Sequence, residues 1–275
     1  MRITEYIVKM ALRYKNHHIS SLASQLAFDM LFSFFPFLIL LLTLVGFINV
    51  DPIEVISSLQ TIMPEQLYEL VSTLSLQLLQ TRNGNLLSFS LVFSLYTASR
   101  AFRAVRYGLN RAYNEDEDKN KIKVVILSVL FMIVISFMII FVLAFLVFGE
   151  MISLTLVEWL DLDIKLFYFI RYLRYPIVLS GMVVVFSAVY KLIPSRKIKW
   201  KEAFPGAVFT SIVWIILSMG FAFYVNNFGR YTDIYGSIGV VIVMMIWLQI
   251  TSTTILLGGE LNALLMYDKE HNLNL

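Results

Sequence analysis

The stretch LVFSLYTASRAFRAVRYGLNRAYNEDEDKNK, Leu91 to Lys121, begins as an apolar helix and then runs into Arg100, Arg103, Arg106 and Arg111. The apolar segment ahead of them, Leu86 to Ala98, has 13 residues, short of the roughly 20 that a membrane-crossing helix needs. Either this is no span, or arginines lie inside one. Composition selects the solvent. The 275 residues are 59% hydrophobic and 15% charged, with a mean hydropathy of +0.76, against about 45–50% apolar and about 25% charged in soluble domains. Val124 to Gly149 carries no charge, nor do Met30 to Val50, Pro176 to Tyr190, Ala203 to Val225 and Gly236 to Gly259. With the arginine-ended helix, these runs predict an all-α polytopic membrane protein of six spans.

Charge on the connecting segments gives the orientation, because cytoplasmic flanks carry the excess of Lys and Arg. With the N-terminus inside, 17 of the 22 basic residues fall on the cytoplasmic side, so both termini are expected there. Dropping the second span would scramble this alternation. If that helix enters near Leu86, Arg100 lies about 21 Å along it, Arg103 about 26 Å and Arg106 about 30 Å, the thickness of the hydrocarbon core. The arginines then occupy the cytoplasmic end of a real span. At 100° per residue, Tyr96, Arg100, Arg103, Tyr107, Asn110 and Arg111 form a polar stripe with Arg106 at its margin. Ala101, Ala104, Val105, Gly108 and Ala112 form an opposite face of small residues suited to close helix packing.

Two readings of the stripe stand side by side. Basic residues near a membrane boundary snorkel to headgroups, and Arg106, Arg111, Lys197, Lys199 and Lys201 are read as anchors of that kind. Arg100 and Arg103 are alternatively read as facing the interior and pairing with carboxylates at one depth. Asp29, Lys191, Glu202 and Glu260 all fall at cytoplasmic helix ends in this topology, so a shared polar layer is geometrically available. Its expected members are Arg100, Arg103, Asn110, Lys191, Gln249, Thr253, Glu260, Asn262 and Asp29, with Arg100 paired to Glu260. Gln249, Thr253 and Glu260 share a face of the last span, which equally suits a hydrogen-bonded seam between helices.

The remaining features organise the chain. The N-terminal MRITEYIVKMALRYKNHHIS lacks the apolar core of a secretory signal and reads as an interfacial amphipathic helix. Pro36 removes a helical hydrogen bond to Phe32, for which Ser33 offers local compensation. The segment after Pro64, with Leu67, Leu70, Val71, Leu74 and Leu78, reads as an outer amphipathic cap, and Glu158 to Tyr175 as a second interfacial segment. EDEDK, Glu115 to Lys119, reads as a solvated loop. No linker or repeat divides residues 1–275, which are read as one domain. With no cysteine and only His17, His18 and His271, thiolate chemistry is excluded and a multi-histidine metal centre has too few ligands. No phosphate loop or catalytic triad is found, so no catalytic residue, metal or cofactor is assigned.

Residues Tyr190 to Leu265 resemble the YihY/BrkB family of bacterial inner-membrane proteins. The resemblance rests on Pro194, Trp200, Pro205 and Gly206, then Asn227, Phe228, Tyr231, Tyr235 and Gly236, and finally Gly259, Glu260, Leu261 and Asn262. LFSFFPFLILLL and LNRAY extend it over nearly the whole chain. Asp29 departs from the aromatic or apolar residue the family implies there. The resemblance implies six membrane helices in the bacterial cytoplasmic membrane, and some members carry the label ribonuclease BN.

Three function classes follow. A transporter or lipid-handling protein would use the polar layer for an anionic or amphiphilic substrate, and this reading is preferred. A structural or partner-binding protein would use it as glue. A tRNA-processing ribonuclease, as the old label implies, lacks its ligands here. The expected partners are membrane lipids, anionic phospholipid above all, with no specific nucleic acid; a homo-oligomer is left open.

Overall fold

The computed structural model describes residues 3–47, 68, 72, 84–116, 122, 124–131, 133, 164–228 and 237–273. They are all-helical, with α1 at Ile3–Asn16, α2 at Ile19–Phe47, α3 at Gly84–Ala112, α4 at Ile164–Leu192, α5 at Trp200–Phe228 and α6 at Ser237–Leu273. A further helical stretch covers 124–131. Most of the expected third span, the outer amphipathic cap, Tyr231 and Tyr235, and Glu117 to Lys119 of the acidic loop lie outside the described residues. So does the first part of the Glu158 to Tyr175 segment.

Among the described residues, two helices are long and apolar enough to cross a bilayer by themselves, over Trp200–Val225 and Ile238–Lys269, each with mean hydropathy 2.1. Shorter apolar stretches run over Ile19–Phe34 and Pro176–Leu192. Only 22% of the α5 window is buried, and Ile216, Met219 and Phe223 point outward. A helix apolar all round with so little protein cover needs an apolar solvent.

The long α6 is the axis of the packing, touching α1, α2, α3 and α5, while α2 lies along α3 and α4 along α5. Its core contacts step along its length. Val243 meets Phe221 and Val225, Met244 and Leu248 meet Ala27, and Leu256 meets Ile19, Leu22 and Ala23. The largest cluster, around Leu26, Phe102, Leu109, Tyr190 and Ala263, closes the end where α3 and α4 finish and α5 begins. The small face of α3 is buried as expected, with Gly108 against Leu256.

Where α5 crosses α6, the backbones themselves approach. A Cβ at Gly206 would strike the Gly258 carbonyl and the Asn262 amide, and one at Gly258 would strike the Thr210 and Tyr190 hydroxyls. Small residues here let two helices exchange polar contacts without cavities. Helix α2 continues through Pro36, but the compensation differs from the sequence expectation. The Ser33 hydroxyl donates to the Met30 carbonyl at 2.9 Å, three residues back, rather than to Phe32.

A buried carboxylate and its basic clasp as the candidate functional site

Glu260 lies 22 residues beyond Ile238, about 33 Å along the helix, so a span beginning there has just cleared a hydrocarbon core of about 30 Å. Its side chain is nevertheless 0% exposed, and the surrounding protein rather than lipid removes it from water. A buried carboxylate needs compensating charge. It comes from Arg13 of α1, whose Nε donates to Glu260 Oε2 at 2.7 Å; His17, just past the helix, adds a contact, its Nδ1 2.5 Å from Oε1. Arg13 lies in the last turn of α1 and His17 in the turn that closes it, where the His17 N–H bond to the Arg13 carbonyl keeps the two side chains on one side. Arg13 Nη2 also donates to the carbonyl of Ala112, at 2.5 Å, tying α1 to the end of α3.

Local backbone geometry delivers these groups. α1 ends as His17 N–H donates to the Arg13 carbonyl and His18 adopts a left-handed φ of 52°, a conformation for which His is enriched. The chain turns there directly into α2. α3 ends in the same manner on Asn114, φ 52°, which leaves Tyr113 packed inward. The Tyr113 phenol is 1% exposed; burial first, and then the nearby Glu260 carboxylate, pushes its pKa up, so it stays neutral. Tyr267 Oη donates to the Tyr113 carbonyl at 2.6 Å, and its ring has the guanidinium carbons of Arg13 and Arg196 at 5.7 and 5.6 Å from its centroid. Lys9, one turn before Arg13 on α1, pairs with Asp268 at 3.1 Å.

The residues expected to form a polar layer are partnered differently from the expectation. Glu260 pairs with Arg13 and His17, not with Arg100. Arg100 pairs with Asp29, Nη2 to Oδ1 at 3.0 Å, an ion pair without an aligned hydrogen bond. With the Arg100 side chain 41% exposed, this pair contributes at most about 1 kcal/mol. Arg103 is exposed and does not join the cluster. Arg106 is corrected from headgroup anchor to interior residue: it is 4% exposed, and Nη2 donates to Ser195 Oγ at 3.1 Å. Asn110, one turn on, donates to the same hydroxyl at 3.1 Å and accepts from Ser195 N–H at 2.8 Å. The segment after α4 folds over this face of α3, which helical periodicity alone could not indicate.

Lys191 also falls outside the layer, its Nζ 4.2 Å from the Trp200 ring centroid, where it braces the α4–α5 connection. Gln249 and Thr253 are half-buried. Thr253 Oγ1 donates to the Gln249 carbonyl at 2.8 Å, and Gln249 Nε2 reaches the Ser20 carbonyl at 3.4 Å. Asn262 is a helix clamp. Its Oδ1 accepts from Gly206 N–H at 2.6 Å and its Nδ2 donates to the Ala203 carbonyl at 3.0 Å, beside Pro205, which removes a donor from α5. Lys197, Lys199 and Lys201 are exposed and Arg111 is half-buried.

The sequence reading missed Arg13, His17, Ser195 and the Tyr190–Thr210 contact, in which Tyr190 Oη lies 2.6 Å from Thr210 Oγ1 and donates to the Ile255 carbonyl at 2.8 Å. A usable signal existed for the first two: a basic pair at i and i+4 on an amphipathic helix, and one carboxylate in an otherwise uncharged stretch of α6. Among the described residues, no three His, Cys, Asp or Glu side chains gather as a metal site would require.

The family model described as virulence factor BrkB matches residues 10–274. The ribonuclease-like protein YfkH of Bacillus subtilis is 37% identical over 263 residues, 94% of each chain. A UPF0761 membrane protein of Pseudoalteromonas translucida is 31% identical over 40% of this chain and 36% of its own length, and one from Vibrio cholerae is 33% identical over 38% and 33%. No solved structure matches the chain.

Proposed function

We propose, from the premise that the chain belongs to the virulence factor BrkB family of membrane proteins, that it handles or transports an anionic or amphiphilic substrate in the bacterial inner membrane. Six spans with both termini in the cytoplasm put the Glu260 cluster at the cytoplasmic end of the bundle, and the unequal division of Lys and Arg supports that orientation. The observation that carries the reading is the clasp. A fully buried carboxylate is neutralised by a helix whose other side exposes Ile7, Val8 and Leu12, as an interfacial helix does. Arg13 is 18% exposed, so an anionic group arriving along the membrane surface reaches it and competes with Glu260. Lys197, Lys199 and Lys201 add positive charge at the start of α5, which favours anionic lipid.

The test is binding of phosphatidylglycerol and phosphatidylcholine to the purified protein, followed by translocation of a fluorescent phosphatidylglycerol in proteoliposomes. The expected result is a preference for the anionic lipid that Arg13→Gln weakens. Equal binding of both lipids, unaltered by the variant, would return the clasp to a purely structural role. The printed name of YfkH calls that relative ribonuclease-like. For this chain no ribonuclease activity is proposed, because His17 is committed to Glu260. RNA cleavage that survives stringent purification and disappears in a folded point variant would overturn that.

A further inference from the structure

A second feature lies apart from the clasp, on the side of the bundle where α3, the 124–131 helical stretch and α4 meet. There a cavity of about 50 Å³ is lined by Phe102, Leu127, Phe131, Ala188, Val189 and Ile193, all apolar. The Phe102 and Phe131 rings line it together, with centroids 5.3 Å apart. Leu130 and Leu192 stand on its rim and are 51% and 53% exposed, so the concavity opens outward, toward lipid in a membrane protein. Apolar cavities of this kind stay dry and accept apolar ligands. In a bilayer the available filler is an acyl chain.

Polar and positive residues follow the lining along the chain. Phe102 and Arg106 are four residues apart on α3 and so share a side of it. Ile193, in the lining, leads within two residues to Ser195, whose hydroxyl is held by both Arg106 and Asn110 at 3.1 Å. Exposed Lys197 and Lys199 follow. Any crevice in a membrane protein fills with lipid tail; an apolar slot whose lining residues lead, within one helical turn or a few residues, to a buried guanidinium, an oriented hydroxyl and two lysines has the chemistry to select by headgroup charge as well.

We propose that this groove is a binding site for one anionic phospholipid, with part of an acyl chain against Phe102, Val189 and Ile193 and its phosphate at Ser195, beside Arg106. The site does not depend on the clasp reading, since neither Arg13 nor Glu260 lines it. The probe is phosphatidylglycerol carrying a photoactivatable diazirine on one acyl chain, in nanodiscs of phosphatidylcholine containing the full-length protein, with cross-linked peptides mapped by mass spectrometry. Label is expected on peptides containing Leu127 to Phe131 and Val185 to Ile193, displaced by unlabelled phosphatidylglycerol ahead of phosphatidylcholine. Ala188→Trp fills the slot and, by excluding two methylenes of the chain, should lower labelling about tenfold. Leu130→Trp, at an exposed rim position, repeats the test without a core substitution. Ser195→Asp should abolish the preference for the anionic lipid while chain labelling persists. Labelling spread over all lipid-facing helices and unchanged by both tryptophan variants overturns the site, as does labelling that the zwitterionic lipid displaces equally well. Either failure leaves binding at Arg13 untouched and separately measurable.

Discussion

Removing Arg13 tests the clasp most directly. Arg13→Ala strips Glu260 Oε2 of its 2.7 Å partner and the Ala112 carbonyl of its donor, in a site where the carboxylate is 0% exposed. Breaking one side of a buried ion pair costs roughly 3–5 kcal/mol. His17 still holds Oε1 and the guanidinium position is partly open to water, so the low end, about 3 kcal/mol, is expected. Glu260→Gln removes the charge but leaves Arg13 bound to Ala112, and should cost about 1–2 kcal/mol. If the two groups act on each other, the double variant costs little more than Glu260→Gln alone, a coupling of about 2 kcal/mol. The loss is local. α1 has few contacts beyond the clasp, so it detaches before the bundle unfolds, and hydrogen exchange of its amides should accelerate roughly a hundredfold in Arg13→Ala. Additive effects of the two substitutions, or α1 protection unchanged in Arg13→Ala, would refute the reasoning.

Asn262→Leu keeps the volume but removes the two hydrogen bonds to Gly206 N–H and the Ala203 carbonyl; thermal unfolding in detergent should show a loss of about 1–3 kcal/mol. Gly206→Ala and Gly258→Ala force α5 from α6 and should impair folding, whereas Gly220→Ala, with open space around it, should be neutral or gain up to about 1 kcal/mol; yield and melting temperature of the three variants decide it. The Tyr113 pKa is raised on folding, so its proton-linked stability is complete below the ordinary phenol value of about 10 and declines as pH rises through the higher folded value. Tyr113→Phe should remove that alkaline decline and, because the buried hydroxyl has no hydrogen-bond partner among the described residues, should leave melting at neutral pH unchanged or higher. A cysteine at Asn120 in this cysteine-free chain should resist an impermeant reagent applied outside intact cells; labelling from outside would reject the cytoplasmic assignment of that segment.

Some of this molecule was settled by sequence alone. Uncharged runs such as Ala203 to Val225 admit only a helix with apolar surroundings, because backbone polar groups in lipid must be satisfied within the segment. The small face of α3 is likewise written in its periodicity: Ala101, Ala104, Val105, Gly108 and Ala112 recur at helical spacing and are buried together. Residue type also marked Glu260, Asn110 and Asn262 as polar groups needing partners. What sequence could not supply was the partners. Helical spacing fixes the direction of a side chain from its own axis, but which neighbour stands there depends on how helices distant in sequence are placed. Arg13 and Glu260 are 247 residues apart, and Arg106 and Ser195 are 89 apart. Depth arithmetic put Arg100 and Glu260 at one level, but the rotation of α3 turned Arg100 toward Asp29 and Arg106 inward. Only the tertiary structure decided that a helix read as a surface float supplies the charge that a buried carboxylate requires.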